Sequence, residues 1–172
     1  MILKTDRLSL RPLDLEDQAL VARMMSDAEV MAFWDSEPVD EAEVVADIVQ
    51  GQLAEVARGE AVYWTMQRLA DRTFVGCVDI CAIDRWHHRG EVGFILDRTA
   101  WGAGYASEAM SAVIAHAAQG LRLKRLSART HLGNIRSLRL LERLGFRREG
   151  ILRGYVERDG RRRDCALFGL LL

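Results

Sequence analysis

The chain has 172 residues, a formal net charge of -1 at pH 7 and 49% hydrophobic residues. These values indicate a globular protein with one domain over residues 1–172, and they give no electrostatic basis for direct nucleic-acid binding. No apolar run is long enough to span a bilayer, no signal-peptide pattern opens the chain, and three scattered cysteines favour a reducing cytoplasm. We therefore expect a cytoplasmic protein with no membrane partner. The four histidines complete no zinc-binding spacing, so no metal is expected.

The first third of the chain predicts one strand and two helices. The predicted elements are an edge strand over residues 8–11, a helix from 14 to about 25, a loop over 30–38 and a helix from 40 to about 57. Asp14 is the expected N-cap of the first helix, and Asp40 with Glu43 is the expected capping pair of the second. Gly59 follows the second helix and is expected to end it.

The remaining two thirds predict a further set of strands with two more helices. The predicted strands cover residues 61–68, 73–83, 91–96, 124–130, 146–157 and 162–170, and the predicted helices run through residue 118 and over 135–144. Gly145 is a natural left-handed end for the last helix, and Asp159-Gly160 is a strong hairpin-turn signal. Together these elements predict an α/β fold in which helices cover both faces of a mixed sheet.

A glycine-containing stretch over residues 101–110 lies between a predicted strand and a predicted helix. Gly102 and Gly104 lack side chains where the backbone must turn tightly or approach a ligand. The helix that follows presents unpaired N–H groups and the positive end of its dipole, so the stretch predicts a site for a phosphate or diphosphate. The alternative is a strand-to-helix turn in which the glycines serve backbone geometry alone.

The residues that follow these glycines argue against two common nucleotide-binding motifs. A dinucleotide-binding fold needs a third glycine three positions after the second, where this chain has Ser107. No Lys-Ser or Lys-Thr pair follows the glycines, so a P-loop is not indicated.

Four motifs, of which the glycine stretch is one, occur in a fixed order. They are Glu91-Val92-Gly93-Phe94, Trp101-Gly102-x-Gly104-Tyr105-Ala106-x-Glu108-Ala109, Gly133-Asn134-x-x-Ser137 and Leu141-Glu142-Arg143-Leu144-Gly145-Phe146. With them the chain resembles the GNAT superfamily of acyl-CoA N-acyltransferases over nearly its whole length, and the ribosomal-protein N-terminal acetyltransferase (RimJ/RimL-like) branch in particular. The resemblance implies an α/β (α+β) fold with a GNAT-type mixed, mostly antiparallel central sheet. It also implies acetyl-CoA as co-substrate, without a metal.

The resemblance places acetyl-CoA along the strand before the glycine stretch, along that stretch and at the start of the last helix. The residues implied in its binding are Phe94, Ile95, Leu96, Trp101, Gly102, Ala103, Gly104, Tyr105, Ala106, Asn134 and Ser137. Backbone amides of the glycine stretch would hold the diphosphate, and a backbone N–H near Phe94 and Ile95 would hold the thioester oxygen. Many members carry Gln or Arg three residues before the first glycine, where this chain has Thr99.

Glu91 begins an otherwise apolar predicted strand and shares one face with Gly93 and Ile95. A carboxylate at that position either faces a cleft or is costly to bury. Because Glu91 aligns with the general base of the histone-acetyltransferase branch, the resemblance implies that it accepts a proton directly or through water. The alternative is a carboxylate at the strand end that lies in solvent or pairs with Arg89.

Asn134 and Ser137 lie one turn apart at the start of a predicted helix, so both can face a cofactor. In many superfamily members a tyrosine further along this helix protonates the leaving thiolate, and the matching position here is Leu141. The Rim-like branch has serine at the position of Ser137. The resemblance therefore implies that Ser137 hydrogen-bonds to the thiolate or protonates it, and the alternative is a structural helix serine.

Three aromatic residues are the expected acceptor-binding side chains. Phe33 and Trp34 lie in the segment that roofs the acceptor site in this superfamily, and simple packing against the sheet is their alternative role. Tyr155 belongs to the predicted C-terminal hairpin, whose register the sequence does not define to one residue. The basic run over residues 161–163 is interpreted as a solvated hairpin end, with docking of an acidic acceptor or a CoA phosphate as the alternative.

The sequence thus predicts an enzyme that moves an acetyl group from acetyl-CoA to a primary amine. The favoured acceptor is a protein N-terminal α-amine, since roughly a tenth of such amines are neutral at pH 7, against fewer than about one in a thousand lysine side chains. A small-molecule amine is the alternative acceptor. A CoA-binding module without turnover is the alternative of another class, and a homodimer is compatible with either.

Overall fold

A computed structural model describes all of the chain, residues 1–172. Its strands are β1 Leu3–Lys4, β2 Leu8–Pro12, β3 Val62–Arg68, β4 Phe74–Asp84, β5 Arg89–Leu96, β6 Arg125–His131, β7 Arg147–Arg158 and β8 Arg161–Leu171. Its helices are α1 Gln18–Met25, α2 Ala42–Arg58, α3 Tyr105–Gln119 and α4 Ile135–Arg143. All eight strands form one sheet in the order β1-β2-β3-β4-β5-β6-β8-β7. None of the helices is both long enough and apolar enough to cross a membrane.

The β5–β6 pair is parallel, and all the other neighbouring pairs in the sheet are antiparallel. The parallel pairing joins only residues 89–91 to residues 125–127. Beyond these residues the two strands separate, although β5 continues to Leu96 and β6 to His131. A V-shaped opening therefore lies in the middle of the sheet, where the outer half of β5 keeps backbone groups that β6 does not bond.

Helices cover both faces of this sheet, as the sequence predicts. On one face α3 packs over the larger core cluster, whose fully buried side chains include Trp64, Met110 and Phe168. On the other face α1 and α2 pack together through a smaller cluster that includes Val21 and Val49. The mixed, mostly antiparallel sheet of the GNAT expectation is thus confirmed.

The ends of the helices agree with the sequence in most places. Asp14 is an N-cap as predicted, although it caps a short 3-10 turn that leads into α1. Gly59 ends α2 in a left-handed conformation, with φ 72°. The predicted capping pair of Asp40 and Glu43 is wrong, because Glu41 is the N-cap of α2 and no side chain bonds to that helix end.

Candidate active site

A cavity of about 1400 Å³ occupies the opening between β5 and β6. Its wall is formed by the outer half of β5, the glycine stretch, the end of β6, the start of α4 and the loop between α1 and α2. The predicted site residues in this wall are Phe33, Trp34, Glu91, Phe94, Ile95, Leu96, Trp101, Gly102, Gly104, Tyr105, Ala106, Asn134 and Ser137. Ala103 and Tyr155 do not line it, although both lie beside residues that matter to the site.

The glycine stretch reaches the cavity in the strained backbone form that only glycine adopts at low cost. Gly102 and Gly104 have φ values of 77° and 81°. Gly104 is the N-cap of α3, and its carbonyl accepts the N–H of Glu108 at 3.2 Å. The amides of the first turn before Glu108 have no carbonyl of α3 to bond, and no side chain caps this end. These amides and the helix dipole suit a diphosphate group.

Arg7, in the connection between β1 and β2, holds the glycine stretch from outside the cavity. Its Nη1 donates to the carbonyl of Ala103 at 2.9 Å, and its guanidinium lies 4.7 Å from the ring centroid of Tyr105. Its Nε donates to Glu108 Oε2 at 2.7 Å. Desolvation opposes ionisation of Glu108, but hydrogen bonds from Thr5 and Arg7 outweigh it and lower the pKa of this carboxyl.

The side chains just before the glycines are committed to local contacts. Thr99 donates its hydroxyl to Asp97 at 2.5 Å, and Arg98 forms ion pairs with Asp27 and Glu29. The position of Thr99 therefore supplies no cation to the glycine stretch. A cation comes instead from α4, since Arg136 lines the cavity with its guanidinium 5.1 Å from the ring centroid of Trp101.

The start of α4 presents Ser137 to the cavity. Asn134 caps this helix, because its side-chain oxygen accepts the Ser137 N–H at 3.1 Å. The cap fixes the first turn, so that Ser137, which is 8% exposed, faces the cavity. Leu141 lies one turn further along the same wall and offers no polar atom. Ser137 is thus the hydroxyl of this helix that faces the cavity.

Glu91 lines the cavity but does not stand alone. Its Oε1 accepts a hydrogen bond from Arg129 Nε at 2.7 Å, and the two side chains are 24% and 29% exposed. The alternative partner, Arg89, pairs instead with Asp84 at 3.3 Å. Arg129 also lies 4.8 Å from the ring centroid of Tyr155, which brings this predicted residue to the rim of the cavity.

The loop that carries Phe33 and Trp34 covers the cavity on the side of α1 and α2. Arg158, at the end of β7, donates hydrogen bonds to the carbonyls of Met31 and Trp34. Its side chain is 8% exposed, so this contact anchors the loop from inside the protein. Both aromatic residues line the cavity, and these bonds hold the backbone of the loop that carries them.

Asp79, on β4, is a cavity residue that the sequence analysis did not single out. It stands opposite Tyr63 of β3 and Gly93 of β5. Burial raises its pKa to about 7, with smaller contributions from the nearby charges of Glu91 and Glu55. The signal that could have found it is the one that singled out Glu91, a lone carboxylate in an otherwise apolar strand.

Residues 7–147 match the family model described as an acetyltransferase (GNAT) domain. The chain is 32% identical over 169 residues to the uncharacterized N-acetyltransferase p20 of Bacillus licheniformis, covering 98% of this chain and 95% of that protein. It is 26% identical over 143 residues to the spermidine N(1)-acetyltransferase of Escherichia coli, covering 83% and 74%. The solved structure of RimL, a ribosomal L7/L12 alpha-N-protein acetyltransferase in complex with coenzyme A, has a TM-score of 0.91 at 21% identity, covering 100% and 98%. The chain therefore belongs to the GNAT family and is an acetyl-CoA-dependent N-acetyltransferase.

Proposed function

We propose that this enzyme transfers the acetyl group to a protein N-terminal α-amine, by direct attack of the amine on the thioester. The observation that carries this proposal is the opening between β5 and β6, which lies beside the glycine stretch on one side and the anchored aromatic loop on the other. A donor held from one side and an acceptor entering from the other would meet at the outer half of β5. That geometry brings the two reactants together without a covalent enzyme intermediate.

In this proposal each wall of the cavity has one task. First-turn amides of α3 bind the diphosphate, and a free backbone N–H near Phe94 and Ile95 polarises the thioester carbonyl. Ser137, which lines the cavity, would donate a hydrogen bond to the departing thiolate. Glu91, held by Arg129, lies on the acceptor side with Phe33 and Trp34.

An α-amine suits this site because it needs little help to lose its proton. Its pKa near ~8 leaves roughly a tenth of the acceptor neutral at pH 7, whereas a lysine side chain would need about 3 kcal/mol more. The likeness in fold to RimL, whose name describes an alpha-N-protein acetyltransferase, supports the same choice.

A polyamine or another small amine is the second candidate. It is favoured by the carboxylates on the acceptor side of the cavity, where Asp79 has no cation beside it. The similarity to the spermidine N(1)-acetyltransferase supports it as well. These carboxylates would attract any cationic amine.

The test is a panel of acceptors with purified protein, acetyl-CoA and a thiol-release readout. Peptides with free or blocked N-termini form one arm, and spermidine and amino sugars form the other. We expect turnover with free N-terminal peptides and none with the blocked ones. Turnover confined to the small amines would replace the proposal by its second candidate, and tight CoA binding without release from any amine would contradict both.

A further inference from the structure

The two carboxylates Glu91 and Asp79 on the acceptor side of the cavity differ in whether a cationic side chain pairs with them. Glu91 accepts a hydrogen bond from Arg129 at 2.7 Å, so a cation of the protein already pairs with this carboxylate. The groups that act on Asp79 are the thiol of Cys81 and the carboxylates of Glu91 and Glu55, none of which is a cation. Asp79 is thus a cavity carboxyl whose charge the protein leaves unbalanced.

The Asp79 carboxyl lies directly over a strand neighbour that has no side chain. Its partner on β5 is Gly93, and a Cβ at that position would lie 2.6 Å from Asp79 Oδ2. Any other residue at 93 would therefore displace the carboxyl. Because Gly93 precedes Phe94 and Ile95, the Asp79 carboxyl lies next to the part of β5 where the thioester carbonyl is expected.

We propose that Asp79 receives the ammonium group of the acceptor and takes its proton before the nitrogen attacks. This inference rests on the proposed amine acetylation, and it holds for either class of acceptor. It assigns proton removal to β4, and it leaves Glu91 with Arg129 as the pair that shapes the acceptor side.

The step balances as follows. One proton passes from the ammonium nitrogen to an Asp79 carboxylate oxygen, which leaves a neutral amine. The nitrogen lone pair then forms the new C–N bond with the carbonyl carbon, and the C–S bond breaks with its electron pair going to sulfur. The nitrogen loses its second proton to solvent as the amide forms, and the thiolate takes up one proton, either relayed by the Ser137 hydroxyl or directly from solvent. Asp79 then returns its own proton to solvent through the open cavity.

The groups around Asp79 set the pH at which it can act. The titratable and charged groups that face it are Cys77 and Cys81 on β4, Tyr63 on β3, Glu55 on α2, Glu91 on β5 and, through Glu91, Arg129 on β6. Tyr63 donates its hydroxyl to Glu55 at 2.6 Å, so the α2 side adds negative rather than positive charge. Asp79, with its pKa raised to about 7, is therefore ionised mainly above neutral pH.

The experiment compares the pH profiles of kcat/KM for the wild type and three isosteric variants, with the acceptor that the panel turns over fastest. For the wild type we expect kcat/KM to rise with pH around 7, which is the limb of the profile that reports Asp79. Asp79→Asn should remove this limb and lower kcat/KM at pH 8 by about a hundredfold. Asp84→Asn, at the far end of the same strand and outside the cavity wall, is the control, and it should keep both the wild-type kcat/KM and its rise near pH 7. Glu91→Gln should keep the limb near pH 7 even where its rate falls.

Binding of CoA, measured by calorimetry, separates this role from a structural one. We expect the dissociation constants of wild type and Asp79→Asn to agree within about twofold, since Asp79 does not line the diphosphate part of the cavity. An Asp79→Asn enzyme that keeps the wild-type kcat/KM and its rise near pH 7 would overturn the Asp79 assignment while amine acetylation stands. Loss of the limb in Glu91→Gln instead would return the base to Glu91. A wild type that acetylates no amine would overturn the proposed function and this inference together.

Discussion

Arg7 and Glu108, which lie 101 residues apart in sequence, form an ion pair with 2.6 Å between Arg7 Nη2 and Glu108 Oε2. The backbone N–H of Arg7 also donates to Glu108, at 2.8 Å. Because Glu108 sits in the first turn of α3 and Arg7 also bonds to Ala103, this pair joins the edge of the sheet to the glycine stretch. The backbone proposed to bind the diphosphate is thus fixed by a contact that lies outside the cavity.

Arg7→Ala should weaken CoA binding, although Arg7 lies outside the cavity in which CoA is proposed to bind. Loss of the guanidinium frees the Ala103 carbonyl and the α3 first turn, and the stabilisation lost from a half-exposed pair is about 0.2–1 kcal/mol. We expect the dissociation constant of CoA to rise by about threefold, measured by calorimetry. Arg58→Ala removes another exposed pair, with Glu60 at 2.7 Å, and should leave CoA affinity unchanged. Equal affinities in all three proteins would show that the contact does not shape the loop.

Gly104→Leu should weaken CoA binding by more than about tenfold. At φ 81° a side chain costs about 1–2 kcal/mol, and its Cβ would lie 3.5 Å from Arg7 Nη2, so it would disturb the contact that holds the glycine stretch. Gly160→Leu is the control, since Gly160 has φ 65° in the β7–β8 turn and its Cβ would meet nothing within 4 Å. We expect both variants to lose similar thermal stability, and only Gly104→Leu to lose affinity for CoA. Unchanged CoA affinity in Gly104→Leu would count against binding of the diphosphate by the glycine stretch.

Ser137→Ala should slow turnover more than it weakens CoA binding. The hydroxyl faces the cavity while the backbone N–H keeps its bond to Asn134, so the helix start remains intact. A fall in kcat of about tenfold, roughly 1.4 kcal/mol in the transition state, is expected with a CoA affinity within twofold. Ser111→Ala on α3, an exposed serine bonded to the Ser107 carbonyl, is the matched control. Full activity in Ser137→Ala would remove this residue from the mechanism.

Arg136→Gln should weaken CoA binding and make it less dependent on salt. Arg136 lies against Trp101 and lines the cavity where no cation comes from the position of Thr99. Titrations at low and high ionic strength should give a three- to tenfold loss at low salt that narrows as salt screens the charge. Arg139→Gln, on the same helix but outside the cavity wall, should behave as wild type. The same loss in both variants would mean that only the overall charge of α4 matters.

The parts of the site that depend on local backbone could be predicted from the sequence. Glycine is favoured where the backbone turns from a strand into a helix at positive φ, as at Gly102 and Gly104. Asparagine is a common N-cap residue, and Asn134 caps the helix whose first turn carries Ser137. These features need only neighbouring residues. Their positions in one cavity follow from the chain order of strand, loop and helix.

The parts that depend on pairing between distant strands could not be predicted in this way. Glu91 bonds to Arg129 across the one parallel pair, 38 residues away, and periodicity within a strand does not identify the residue on the next strand. The apolar strand around Asp79 could have singled it out, but its position opposite Gly93 comes from the pairing of β4 with β5. The predicted capping pair of α2 was wrong for a local reason, because the helix begins one residue later than the spacing of Asp40 and Glu43 requires.

The two sides of the cavity are anchored by different ends of the protein. The aromatic loop is tied down by Arg158 from the C-terminal hairpin, whereas the glycine stretch is tied down by Arg7 from the N-terminal edge. Donor recognition and acceptor choice can consequently be altered independently. Grafting a different sequence onto residues 30–36, while Glu29, Glu37 and Arg158 are retained, offers a direct route to an enzyme of the same chemistry with a new set of acceptors.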